Sequence, residues 1–502
     1  MSTPDTAPLQ PTPAQEVTTP PAPASPLLEE VLKETGYATR TERQRDTGKN
    51  LILRFVDEVL KGGMVASRDT QTAIAKRIEQ IDSLVARQTD EFLHDSRFQQ
   101  LEATWRGLRY LMDRTETGDK LKLKVFNVSK QDLSDSFKTD EVDQSPLYKK
   151  VYQQEYGQAG GEPFAVLVGD YRFDNSDPDL AALERVAGVA AAAHAPFIAA
   201  ADPGMFNMKS FEQLTGVRDL ASIFRTPDYA RWRAFRDSRD AQYVALTVPG
   251  MLMRLPYDPK NNPVEGLNYR EHVDGRAHTK YLWGNAAYAL GALMTQAFAR
   301  NGWASAIVGP KNAKVDGLPT HTFQSLNGDV VMKSPTEVDI VETRDRELEE
   351  LGFAALVHYK NENYATFFGV PSCQKPKTYN KPEATASAFM SSQLPYTMAV
   401  TRFAHYLKIM VRDYIGSHLS RSGCELLLNE WISGYVDEHD DSPESVKLEK
   451  PLREARVEVQ DVPGKPGYYR ATAYLRPHYQ LKGMAIAMKL VADLPKPVAE
   501  RA

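Results

Sequence analysis

Residues 164–205 constrain the fold most, because they read as a complete strand, helix, strand unit around which everything else must be arranged. Phe164, Ala165, Val166, Leu167 and Val168 form a short apolar run closed by Gly169 and Asp170, the pattern of a strand buried on both faces. Ser176 or Asp177 can cap the helix that follows, with Pro178 at its first position and Asp179 in its first turn. Leu180, Leu183, Val186 and Val189 carry that helix to about Ala193. Pro196 blocks its continuation, and Phe197, Ile198, Ala199, Ala200 and Ala201 make the next strand before Asp202, Pro203 and Gly204 turn the chain. Ala187, Gly188, Ala190 and Ala191 lack bulk, so the helix can lie close against a sheet, and the unit predicts the nucleus of a parallel sheet.

Dinucleotide-binding folds begin the same way, but they need glycines at G-x-G-x-x-G spacing so that backbone N–H groups reach the phosphates. Here Gly169 is followed by Asp170, Tyr171, Arg172 and Phe173, which argues against a phosphate cradle.

A chain of 502 residues predicts two or three domains. Its 61 basic and 66 acidic residues leave a net charge of −5, which gives no general reason to expect nucleic acid or membrane as a partner. Cys373 and Cys424 match no metal or redox spacing, and both are expected to be reduced packing residues. No apolar run approaches the roughly 20 residues that span a bilayer, and proline stands where a signal peptide would be apolar, so a cytoplasmic location is expected.

Residues 1–26, punctuated by Pro4, Pro8, Pro11, Pro13, Pro20, Pro21, Pro23 and Pro26, read as a disordered or extended tail. Residues 27–118 read as a helical domain. Leu51, Ile52, Phe55, Val56, Val59 and Leu60 form one apolar stripe, and Ile74, Ile78, Ile81 and Val85, spaced by four, three and four, form a seam of coiled-coil type. Phe98, Leu101, Trp105, Leu108 and Leu111 continue on a further helix. Helices with one apolar face, arriving before any sheet, suggest docking on another chain or on a remote part of this one; an ordinary bundle is the alternative.

Residues 119–371 read as a central mixed α/β domain. Alternation makes 121–128 a strand; further strands are expected at 243–248, 304–308, 337–341 and 354–358, with helices at 281–299 and 344–351. In the last domain, 372–502, an amphipathic helix runs from Leu394 to about Leu419 with Val400, Phe403, Leu407, Met410 and Tyr414 on its apolar side. Arg402, His405, Lys408 and Arg412 form a basic stripe suited to an anionic protein surface. A second helix carries Leu426, Leu427 and Trp431. Strands follow at 456–462, 468–476 and 484–491, the last alternating Met484, Ile486, Met488 and Leu490 with Ala485, Ala487 and Lys489. The fold class is therefore mixed α/β (α+β): N-terminal helices, a central sheet, and C-terminal helices with antiparallel strands.

No P-loop, H-E-x-x-H, G-x-S-x-G or C-x-x-C motif occurs. His272 and His278 form a weak metal pair without a third ligand at diagnostic spacing, and Asp170 and Asp174 are better explained by capping and loop hydrogen bonds than by acid–base work. The expectation is no enzyme and no cofactor. Interaction chemistry remains. A terminal apolar strand without proline until Pro495 is an edge that proteins normally blunt, and one left open invites strand exchange with the next subunit. A contact between unlike surfaces can propagate helically.

Several segments are familiar together: FQQLEATWRGLR at 98–109, AHAPFIAAA at 193–201, YLWGNAA at 281–287, SCQKPK at 372–377 and NEW at 429–431. In this order the chain resembles the large subunit of the type VI secretion contractile sheath, the TssC/VipB family, from about Thr41 to Pro495. The resemblance implies a structural protein that pairs with a small sheath subunit (TssB/VipA), whose heterodimers stack helically on a baseplate around a tube of Hcp. The AAA+ unfoldase ClpV would dismantle the contracted form, and neither nucleic acid nor membrane insertion is implied. Carried onto this chain, it makes Ile74, Ile78, Ile81 and Val85 the small-subunit seam. Met484, Ile486, Met488 and Leu490 become an interlocking strand, and Arg402, His405, Lys408 and Arg412 candidates for the tube. The rival readings are a nucleotide-dependent α/β enzyme, a basic-helix nucleic-acid binder and a single-chain phage-like sheath protein.

Overall fold

The computed structural model describes Lys33 and residues 41–60, 70–137, 141–265, 267–325, 327–414, 420–439, 441–463, 469–478 and 488–493. The proline-rich tail, Met484 and Ile486 lie outside them. The chain divides into two units, residues 1–85 and 86–502.

In the first unit, helix α1 (Glu42–Leu60) is followed by the start of helix α2 (Thr70–Leu93). Helix α3 (Ser96–Asp113) opens the second unit proper. Asp95 caps it, its carboxylate accepting from the amides of Arg97 and Phe98 at 3.0 and 3.3 Å.

The centre is the strand, helix, strand unit. Strand β1 (Leu167–Phe173), helix α4 (Asp177–Ala193) and strand β2 (Phe197–Ala201) lead on to β3 (Val244–Val248), β4 (Lys314–Val315), β5 (Phe353–His358) and β6 (Ala365–Phe367). They form one six-stranded mixed sheet in the order β1-β2-β3-β5-β6-β4, parallel from β1 to β5 and antiparallel beyond. Alternation divides its two faces. Phe197, Ala199 and Ala201 pack with Val186, Val189 and Ala190 of α4, while Ile198, Ala245 and Leu356 pack with helix α5 (Ala287–Asn301) on the other side.

Several expectations shift. The first strand starts at Leu167 and runs through Gly169 to Phe173 instead of closing there. Its register with β2 shifts between Val168 and Arg172, and a Cβ on Gly169 would come within 2.5 Å of the Phe197 ring, so only glycine lets strand and ring pass. The helix expected from 281 begins at Ala287, because Trp283–Gly284 pairs with Met251–Leu252 as a short ladder. Residues 304–308 and 337–341 form no strand. Ala306 and Ile307 are buried without a ladder, and Glu337 donates its amide to Gly250 O at 2.8 Å from a loop. Residues 121–128 run extended but belong to no sheet.

At the C-terminal end, helix α6 (Leu394–Asp413) and helix α7 (Arg421–Ser433) cover a sheet of three antiparallel strands, β7 (Leu452–Asp461), β8 (Tyr469–Pro477) and β9 (Met488–Asp493). Val457, Val459, Ala471, Ala473 and Leu475 point into a core shared with Phe403, Leu407, Leu428 and Ile432.

Candidate functional site

The seam residues on α2 are all exposed: Ile74 at 40%, Ile78 at 55%, Ile81 at 46% and Val85 at 39% of their surface. Leu51, Leu53 and Val56 of α1 are exposed as well. Solvated isoleucines in a row at heptad spacing have the form of half a coiled-coil interface. Full burial stabilises each by about 1.5–3 kcal/mol, so covering the seam is worth several kcal/mol.

The three-stranded sheet has two unlike margins. Its β7 margin is sealed by helix α7. Asn429 Nδ2 donates to Val457 O at 2.7 Å, Val457 N donates back to Asn429 Oδ1 at 2.9 Å, Val459 N donates to Glu425 Oε2 at 3.1 Å, and Arg421 Nη1 donates to Val459 O at 3.0 Å. These side chains mimic a neighbouring strand. Sequence reasoning missed this role; the signal was polar Glu425 and Asn429 at i, i+4 on the face turned toward the strands. The opposite margin is β9, paired on one side with β8 in the register Leu475↔Met488 and Ala473↔Leu490, and last in the strand order among the described residues. Met488 and Leu490 thus lie on the marginal strand.

The stripe on α6 is not a solvated charged face. His405 is buried at 1% exposure and its Nε2 donates to Ala193 O at 2.9 Å. Burial pushes its imidazole down to about 3 and that of neighbouring His194 to about 4. The Lys408 ammonium lies 3.3 Å from the centre of the Tyr156 ring and is lowered to about 8 by burial first and by Arg412 second. Arg412 donates to Gln158 O and, at 2.7 Å, to Tyr156 O. Arg402 lies over the Tyr406 ring at 4.7 Å. His405, Lys408 and Arg412 thus engage Ala193, Tyr156 and Gln158 of the same chain, whereas Arg402 stacks within α6 on Tyr406.

The remaining polar clusters also serve the fold. Buried Arg254 donates to Glu271 Oε2 at 2.6 Å and Glu102 Oε1 at 2.9 Å, and His94 Nε2 joins Glu271 at 3.0 Å, tying α3 to the loop after residue 254. His272 meets Asp90 and His278 meets Glu337 at 3.3 Å, so the two histidines serve different carboxylates; no group of three metal-holding side chains occurs among the described residues. Asp174 Oδ1 accepts from Ser176 N at 2.8 Å, and Asp179 Oδ2 accepts from Asp174 N at 2.8 Å and Lys130 Nζ at 2.5 Å. Two carboxylates therefore stand at the start of α4, where a nucleotide would need its phosphate. Cys373 and Cys424 are both buried, and burial pushes the Cys373 thiol up to about 12. No described helix is long and apolar enough to cross a membrane.

Comparison with known proteins adds a family. Residues 75–374 match the EvpB/VC_A0108 tail sheath N-terminal domain (VipB), and residues 383–494 match the EvpB/VC_A0108 tail sheath gpW/gp25-like domain. A type VI secretion system sheath protein, TssC1 of Pseudomonas aeruginosa, is 44% identical over 477 residues, 94% of this chain and 95% of that one. Among solved structures, a chain of the anti-feeding prophage baseplate aligns with TM-score 0.33 and 10% identity over 76% of this chain and 83% of its own. A sheath tail protein of Desulfitobacterium hafniense aligns with TM-score 0.29 and 11% identity over 62% and 60%.

Proposed function

This chain belongs to the VipB (EvpB/VC_A0108) tail sheath family, and from that membership we propose that it is the large subunit of a type VI secretion contractile sheath. In this reading it pairs with a small sheath subunit through Ile74, Ile78, Ile81 and Val85, and the heterodimers polymerise helically from a baseplate around an Hcp tube. ClpV recovers the contracted sheath. The protein is structural, without catalytic residues or cofactor, and acts in the cytoplasm. The observation that carries the reading is the 44% identity to a type VI sheath protein across nearly the whole of both chains. The exposed seam on α2 and the marginal strand β9 give it physical means.

The mechanics follow from bond strengths. A strand added at β9 satisfies a ladder of main-chain hydrogen bonds at about 0.5–1.5 kcal/mol each, so several together hold while rigid bodies rotate. Exposed charged contacts to the tube contribute about 0–1 kcal/mol apiece and let go easily. Strong links between subunits with weak links to the cargo allow a change of pitch that releases the tube.

The test is co-expression of the full-length chain with the small-subunit gene and negative-stain imaging of the lysate. Sheath-like tubes that need both genes are expected. Tubes from this chain alone would assign it to the single-chain phage-like class, and a chain that stays monomeric beside its would-be partner would overturn the reading.

A further inference from the structure

A π-helix, Lys149–Gly157, lies against the end of α4 and the C-terminal half of α6, and its Tyr156 is buried where the three meet. The Tyr156 ring stands edge-to-face with two imidazoles, its centre 5.9 Å from that of His194 and 5.5 Å from that of His405, at interplanar angles of 73° and 64°. The two imidazoles are 6.5 Å apart. His194 takes the left-handed backbone, φ 51°, that ends α4, and its Nδ1 lies 3.1 Å from the Tyr243 hydroxyl. His405 donates from Nε2 to Ala193 O, which can only accept, so the neutral ring keeps its lone pair on Nδ1; that atom is buried and has no hydrogen-bond partner among the described residues.

Among the described residues no carboxylate pairs with either ring. From α6 they face Lys408 and Arg402, from the π-helix Tyr156 with Arg412 at its carbonyl, and from the segment before β3 Tyr243. Asp240 bears on Tyr243, and Glu155 of the π-helix is engaged by Lys124 at 2.6 Å. The C-terminal end of α4 favours positive charge, but Arg402, Lys408 and Arg412 already bring it from α6. Two imidazolium charges added to those three would crowd one buried ring, with the new proton on His405 Nδ1 donating to nothing. We propose that Tyr156, His194 and His405 form an acid-released latch: when both imidazoles take up protons, Tyr156 leaves its place against them and the π-helix parts from α6. The Lys408 contact on its ring and the Arg412 bonds to Tyr156 O and Gln158 O break with it. The latch joins the stretches that match the two sheath domain models, 75–374 and 383–494, and it does not depend on the formation of a sheath.

Hydrogen–deuterium exchange, read by mass spectrometry on the full-length chain at pH 7.5 and pH 5 with each rate divided by its intrinsic chemical rate, tests it. In the parted state both imidazoles titrate near the ordinary 6.5, whereas in the latched state burial holds them at about 3 and about 4, so acid favours parting. Between pH 7.5 and pH 5 each histidine raises the parted fraction about thirtyfold, and the two together raise it roughly a thousandfold. Amides of residues 149–158 are expected to lose protection by that combined factor while β2 and α5 keep theirs. His405→Gln, whose amide can still donate to Ala193 O, should leave a response of about thirtyfold. Adding His194→Asn, a residue that tolerates the left-handed backbone, should abolish it. A parent chain whose residues 149–158 lose less than one histidine's share of protection overturns the latch, whether or not the double variant folds. An equal loss in β2 and α5, which marks unfolding of the whole domain, overturns it too, as does a full response that survives in the double variant.

Discussion

Asn429 and His405 are polar helix residues whose partners are remote backbone groups, and each makes a measurable difference. Asn429→Ala removes two hydrogen bonds to Val457 and leaves that residue's N–H and C=O unmet at the β7 margin. A loss of about 1–3 kcal/mol is expected, read as a lower urea midpoint at unchanged slope. Burial holds His405 and His194 at about 3 and about 4, below the ordinary value near 6.5. The unfolded chain takes up protons that the folded chain refuses, so this contribution is complete above about pH 6.5 and is lost as the pH falls toward 3. His405→Gln should therefore flatten the fall in stability between pH 7.5 and pH 5, by about 2 kcal/mol relative to the parent, in paired urea titrations. The spacing of Arg402, His405, Lys408 and Arg412 was legible in the sequence. The partners of His405 and Arg412 were not, because Ala193 and Tyr156 lie 212 and 256 positions away, and helical periodicity carries no information at that range.

Among elements, legibility tracked redundancy. Strand β2 was readable to the residue because Pro196 fixes its start, all five positions are apolar and Asp202 ends it. Residues 121–128 carry an equally clear alternation, yet alternation specifies only which face a side chain takes; whether a ladder forms depends on a neighbour, and this chain supplies none among the described residues. Residues 304–308 failed differently. Ala306 and Ile307 are apolar because they are buried in a loop against α5, and burial alone cannot tell a loop from a strand. Helix α2 gives the element-scale prediction. Ile78→Glu with Ile81→Glu touches side chains exposed at 55% and 46%, so the melting temperature of the chain alone should move by no more than about 0.5 kcal/mol in equivalent stability. Co-purification with the small subunit should be lost, since two buried carboxylates in a coiled-coil seam are not tolerated. Retained co-purification would remove the seam from the interface.

For the whole molecule, the parallel centre of the sheet was legible in the sequence, and so were the seam on α2 and a terminal strand; what covers those two was not, because that depends on a partner. Deleting residues 484–502 is expected to abolish sheaths while sparing the complex with the small subunit, read by negative stain and co-purification from one lysate. Normal tubes from the truncated chain would refute the interlocking role of the terminal strand. The sheet that holds this strand is closed by Asn429, Glu425 and Arg421 along β7, and β9 is its last strand on the other side among the described residues. In the sheath proposed above, links with two unlike borders would stack into a filament with two chemically different tips, so elongation from a nucleus is expected to run at different rates at the two, and a cap that fits one tip would not fit the other.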